Sequence, residues 1–149
     1  MLEFKTPQIE DKAWVDQCFK HLKTMNCDYT FGNMFVWSTE YSTKICRFKN
    51  FFICSWGMGK ETNFGIPVGK GDFKEAVEEV IKYAKANDIM PRFYGVTEAY
   101  VEMLNENFPD AFQFLYDEGY GDYIYEVEKM ASLKGNLGVK GHRIVMRVQ

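Results

Sequence analysis

The sequence predicts a single mixed α/β domain, and three observations predict it. Apolar residues recur at helical spacing in two separated places, near the N-terminus and again after residue 72. Between them lie three short stretches rich in aromatic and β-branched residues. The turn-forming Lys49-Asn50 and Gly57-Met58-Gly59 divide them, which is the pattern of a strand meander. The 149 residues, 46% of them hydrophobic, suffice for one core and are too few for two.

Taken in order, Trp14, Val15, Cys18, Phe19 and Leu22 form the stripe of a first helix over residues 10–25. A second helix, residues 30–41, carries Phe31, Met34, Phe35 and Trp37; Asp28 or Thr30 caps it, and its aromatic density predicts deep packing. Strands follow over residues 44–49, 51–56 and 62–67. At Gly69-Lys70-Gly71-Asp72 the chain turns into a long helix, residues 72–86. Asp72 is placed to cap it, Glu75 completes a capping box, and Phe73, Val77, Val80, Ile81 and Ala84 repeat at helical spacing. A brief strand near 92–95 and a helix over 97–107, with Ala99, Met103 and Leu104 inward, precede a break at Pro109. Two last strands, near 112–116 and 123–127, flank a turn at Gly119-Tyr120-Gly121-Asp122. The domain is placed at residues 1–133. Residues 134–149 are read as a basic C-terminal tail.

Composition narrows the function. Eighteen Lys and Arg against 21 Asp and Glu leave a net charge of -3, which argues against general nucleic-acid binding. The locally basic stretch from Lys129 to Arg147 is read as a solvated terminus that could touch an anionic ligand. Cys18, Cys27, Cys46 and Cys54 form no Cys-x-x-Cys pair, and His21 and His142 lie far apart, so no metal site is expected. With no signal-peptide pattern and no apolar run near the ~20 residues that cross a bilayer, the chain is expected to be cytoplasmic, not membrane-spanning, with reduced thiols.

The order helix, helix, three strands, helix, strand, helix, two strands, with a glycine-bearing turn before the long helix, is similar to the acetyltransferase superfamily. That resemblance implies a mixed, mainly antiparallel sheet flanked by helices. It also implies a turn whose backbone N–H groups cradle the pyrophosphate of an acyl-coenzyme A. Ile66-Pro67-Val68-Gly69-Lys70-Gly71 supplies both glycines of the superfamily turn without its first polar residue, and Pro67 removes a donor. Gly69, Lys70, Gly71 and Asp72 are therefore the candidate cofactor-binding residues, with acyl-coenzyme A the candidate cofactor. A plain strand-to-helix turn is the alternative.

A closer likeness runs through Phe4 and Pro7, then Tyr29, Phe31, Asn33 and Trp37, then Pro67-Val68-Gly69-Lys70-Gly71-Asp72, and finally Asp122-Tyr123-Ile124-Tyr125. These residues resemble the phosphatidylglycerol lysyltransferase C-terminal family. The resemblance implies two acetyltransferase-like folds in tandem, of which this chain would be the N-terminal half. In the lysyltransferases the pair moves an aminoacyl group from aminoacyl-tRNA to a lipid headgroup. Met130, Leu133 and Gly135 fit the family's continuation. Asn136-Leu137-Gly138-Val139 then stands where a basic cluster is expected, and Lys140, His142, Arg143 and Arg147 look like a displaced version, so an altered or truncated ending is one reading.

No residue is singled out as catalytic. Glu61, Glu98 and Glu102 are candidate bases for an attacking amine and Tyr100 a candidate acid, against a plain solvent-facing role. His21, between lysines, reads as surface. The aromatic set Tyr29, Phe31, Phe35, Trp37 and Tyr41 is read as core, with a pocket lining as the alternative. Tyr123 and Tyr125 share one strand face, suited to a junction with a second fold or to a partner chain. Three functions follow. The first is a structural or substrate-binding half of an acyl- or aminoacyltransferase, beside a second acetyltransferase-like half. The second is a noncatalytic homodimerising module, and the third a stand-alone N-acetyltransferase using an acyl-coenzyme A donor.

Overall fold

The N-terminal helix begins later than its periodicity suggests. The computed structural model describes residues 1–20, 22, 26–117, 123–124, 127–132, 139–140 and 143–148. In it, Ile9–Asp11 forms a 3-10 turn before α1 (Lys12–Phe19). The cause is the buried Asp11 carboxylate, which accepts the Gln8 N–H at 2.8 Å, Lys5 Nζ at 2.6 Å and Trp14 Nε1 at 2.9 Å. A second 3-10 turn, Cys27–Tyr29, leads into α2 (Phe31–Trp37). Of the two expected caps Thr30 is the one used, its Oγ1 accepting the Asn33 N–H at 3.3 Å. Deep packing holds for one side of α2 only. Phe31 and Met34, three apart, are buried, whereas Trp37 is 49% exposed and Tyr41, in the turn after the helix rather than within it as expected, is 56% exposed. A seven-residue helix offers one stripe to the core, so aromatics on its other faces remain outside.

The meander forms as expected. β1 (Lys44–Phe48) and β2 (Phe51–Trp56) pair antiparallel around Lys49-Asn50, with Lys49 in the left-handed region. β3 (Asn63–Gly65) returns beside the far end of β2, through Ser55↔Phe64 and Trp56↔Asn63. The chain then steps back along β2 as β4 (Val68–Gly69), opposite Phe52 and Phe51.

From there α3 (Phe73–Ala86) starts on its Asp72 cap, whose Oδ1 accepts the Glu75 N–H at 3.0 Å. The Glu75 carboxylate pairs with Lys49. Phe73, Val77, Val80 and Ala84 are buried, as the periodicity predicts; Ala76 joins them, and Ile81 is half-buried. β5 (Arg92–Val96) then runs parallel to β3 at Phe64↔Phe93 and Gly65↔Tyr94. Past these pairs the two strands part, as the chain leaves β3 and returns along β2 as β4. In α4 (Glu98–Asn107) Leu104 is fully buried, but Ala99, expected inward, is exposed on the first turn.

The C-terminal region departs most from expectation. β6 (Phe112–Asp117) is present, and within the strand expected over 123–127 the described residues 123 and 124 form β7 (Tyr123–Ile124). Val127 instead opens α5 (Val127–Ser132), where Glu128, Lys129, Met130 and Ala131 are good helix formers. β8 (Val139–Lys140) pairs with β7. Residues 143–148, read as part of a tail, form β9 (Arg143–Val148), which lies antiparallel between β5 and β6. Ile144, Val145 and Val148 carry strand propensity there; the flanking arginines concealed it. The main sheet runs β1-β2-β3-β5-β9-β6, antiparallel except at β3–β5. The expected turn at 119–122, Tyr125, Leu133, residues 134–138, His21 and His142 lie outside the described residues.

Each side of the sheet has its cover. Phe64 and Phe93 are fully buried, and Tyr83 of α3 meets Phe64 and Phe4. In β2, Phe52 meets Phe19 and Trp14 of α1.

Candidate functional site

Alternation along β2 sets the principal cleft. Phe52, Cys54 and Trp56 share one face. α1 covers the Phe52 end of that face, and toward Trp56 the face opens into a cleft of about 500 Å³. Six aromatics line it: Tyr29, Trp37, Tyr41, Phe52, Trp56 and Tyr94. Trp56 and Tyr94 meet edge-on at 5.6 Å, and Trp37 and Tyr41 lie 5.9 Å apart.

Two glycines shape the cleft. A Cβ on Gly65 would fall 2.6 Å from Cys54 Sγ, so only glycine leaves the thiol its place. Gly95 sits at φ +69° where the β5–β9 register shifts, and its carbonyl accepts the Tyr29 O–H at 3.0 Å. That bond fixes Tyr29 as a wall. Asp28 is held in the adjoining turn: Asn26 Oδ1 accepts its N–H at 2.8 Å, and Asn33 Nδ2 donates to its Oδ1 at 3.2 Å. Burial, with the Asp28 charge adding to it, pushes the Cys54 thiol up to about 12. It is protonated at neutral pH and is no nucleophile.

A second cleft of about 370 Å³ opens at the glycine turn, where β3 and β5 part. Phe51, Pro67, Gly69, Gly71, Phe73 and Tyr100 are among its lining. Burial pushes the Tyr100 phenol up to about 12, so it is a hydrogen-bond donor rather than a base. The turn offers a diphosphate a poor fit. Gly69 is packed so closely on the neighbouring strand that a Cβ would fall 2.1 Å from the Asn50 carbonyl oxygen. Pro67 has no N–H. Asp72 already answers the helix N-terminus with its own carboxylate, and Lys70 is exposed and absent from the described lining. The residues present do not fit the phosphates of an acyl-coenzyme A.

The structure separates the other candidates from both clefts. Glu61, Glu98 and Glu102 are exposed and line neither; Glu61 pairs with Arg92 at 3.4 Å. Of the aromatic set, Tyr29, Trp37 and Tyr41 line the principal cleft, whereas Phe31 and Phe35 stack at 5.5 Å as core. Trp56, Tyr94 and Asn63 were not singled out by sequence. The signal available was the alternation Phe52, Cys54, Trp56. Among the described residues no group of three metal-ligating side chains gathers, and no helix is long and apolar enough to cross a membrane.

Sheet order, divergent parallel pair and flanking helices together define an acetyltransferase-like fold. The crystal structure of the PaiA N-acetyltransferase from Thermoplasma acidophilum in complex with coenzyme A is similar, with a TM-score of 0.50 at 12% identity, over 100% of this chain and 99% of that one. The model of the family described as phosphatidylglycerol lysyltransferase, C-terminal, matches residues 19–141, and the chain belongs to that family. A crystal structure of a conserved protein of unknown function from Bacteroides thetaiotaomicron VPI-5482 is similar at 28% identity and a TM-score of 0.81. The likeness covers 91% of this chain and 46% of that one, so the chain spans less than half the length of the Bacteroides protein. No curated protein gives a match.

Proposed function

We propose that this domain is the substrate-binding half of an acyl- or aminoacyltransferase whose chemistry needs a second acetyltransferase-like fold. The observation that carries the reading is the aromatic cleft, which is larger than the cleft at the glycine turn and is built by residues of β2, β3, β5 and α2 together. The turn favours the same reading, since Asp72 and the packing of Gly69 leave the helix N-terminus little room for a diphosphate. The length relation to the Bacteroides protein supports a partner fold, in tandem or as a separate chain. Four free thiols suit a reducing compartment, the cytoplasm.

Calorimetric and thermal-shift titration with acetyl-coenzyme A, beside sizing at two protein concentrations, tests the reading. A ligand at 100 times its Kd stabilises a fold by about 2.7 kcal/mol. The expected result is no saturable shift. Saturable stabilisation that is lost on changing Lys70 or Asp72 would instead favour the stand-alone N-acetyltransferase. A mass that doubles with concentration would identify a homodimer as the form in which the half works.

A further inference from the structure

We infer that the aromatic cleft takes a planar ring that carries a hydrogen-bond donor, an N–H or an O–H, and that Asn63 reads the donor; the inference rests on the cleft being the binding site. The walls select for flatness. Trp56 of β2 and Tyr94 of β5 stand on the strands either side of β3 and meet edge-on across it at 5.6 Å. To that face β3 offers only Asn63 and Gly65, since alternation turns the fully buried Phe64 the other way. Gly65 has no side chain, and Trp56 Cζ3 lies 3.9 Å from where its Cβ would be.

Trp37 and Tyr41 add two more ring surfaces to the lining. Rigid flat walls of this kind gain most contact from a flat guest, which can take up the offset and edge-on arrangements that aromatic pairs prefer.

The donor follows from an unmet acceptor. Asn63, also in the lining, donates from Nδ2 to the Glu61 carbonyl at 3.0 Å, which fixes the orientation of its amide. Its Oδ1 is then a buried acceptor with no partner among the described residues. The neighbouring strand does not supply one. Arg92, which precedes Phe93 as Asn63 precedes Phe64 in the paired strands, turns Nη1 to the Glu61 carboxylate at 3.4 Å, and its own Nε also has no partner among the described residues. A buried acceptor left unpaired is costly, and a ring N–H or O–H that reaches Asn63 Oδ1 removes that cost. A ring of the same shape without a donor cannot, so Asn63 separates the two.

The test compares two pairs of probes that differ by a methyl group on the donor, indole with 1-methylindole and phenol with anisole. Calorimetry gives the affinities, and the Trp37 and Trp56 indole signals in a nitrogen–proton correlation spectrum report on the cleft. Indole is expected to bind about tenfold tighter than 1-methylindole, and phenol about tenfold tighter than anisole. Asn63→Ala removes the acceptor. It should bring indole down to the affinity of 1-methylindole while 1-methylindole binds as before, which shows the cleft intact. Equal affinities within either pair in the unaltered protein, or a preference for indole that survives in Asn63→Ala, overturns the donor assignment while the cleft stands as a binding site. If none of the four probes binds or moves those two signals, the underlying cleft reading falls with it.

Discussion

Replacing Gly69 with alanine separates two meanings of the glycine turn. If Gly69 exists to let a ligand's phosphates approach the backbone, Gly69→Ala should fold normally and lose binding. In the structure its Cβ would fall 2.1 Å from the Asn50 carbonyl oxygen and 2.8 Å from Phe51 Cα. Both are backbone atoms, so no side-chain rotation relieves the clash, and β4 must lift off β2. Overpacking of this kind costs about 3 kcal/mol, the upper end of its usual range. For a domain of this size that lowers Tm by roughly 6–12 °C. Gly71→Ala meets the edge of the Phe51 ring at 3.1 Å, a side chain rather than backbone, and a φ of +147°, and should cost less, about 1–2 kcal/mol. Thermal and urea unfolding, each with and without acetyl-coenzyme A, measure both variants. A Gly69→Ala protein with native Tm would refute the packing argument.

Three further outcomes follow from the geometry. Tyr29→Phe removes the hydrogen bond to the Gly95 carbonyl and should lower stability by about 1 kcal/mol in urea unfolding. At Asp11, burial alone would push the carboxyl up, but hydrogen bonds from Lys5, Trp14 and the Gln8 N–H outweigh it and hold the group below its usual value. A depressed folded pKa gives stability that is present above the unfolded value, roughly pH 4, and that is lost as pH falls through the folded one. Asp11→Asn should therefore flatten the acid limb of a urea-midpoint profile. Iodoacetamide at pH 8 should label the exposed Cys27 in the native protein and reach Cys54 only after denaturant, as mass spectrometry of the digested chain would show.

The parts of the fold that local chemistry dictates were legible in the residues. The Asp72 cap, the stripe of α3 and the hairpin at Lys49-Asn50 each require only neighbours in sequence. β9 was not legible, because a strand inserted between β5 and β6 is defined by partners far away in the chain and its arginines read as tail. The cleft was half legible. Tyr29, Trp37 and Tyr41 come from one aromatic segment. Trp56, Asn63 and Tyr94 join them only through pairing of β2, β3 and β5. The turn misled in a different way: two glycines and an acidic cap look alike whether they approach a ligand or a neighbouring strand. Only the position of Asn50 tells them apart.

The most direct test of the account uses the three tryptophans as built-in reporters. Trp14 donates its indole N–H to Asp11 and is not among the residues that line the cleft, while Trp37 and Trp56 line it. A nitrogen–proton correlation spectrum resolves the three indole signals and the backbone amides together. On titration with phenol, a probe for an aromatic-lined cleft, the account predicts that the Trp37 and Trp56 indoles move and Trp14 stays, with no response to acetyl-coenzyme A in the amides of residues 69–73. Still indoles for Trp37 and Trp56, with amides at 69–73 that shift on adding acetyl-coenzyme A, would contradict it.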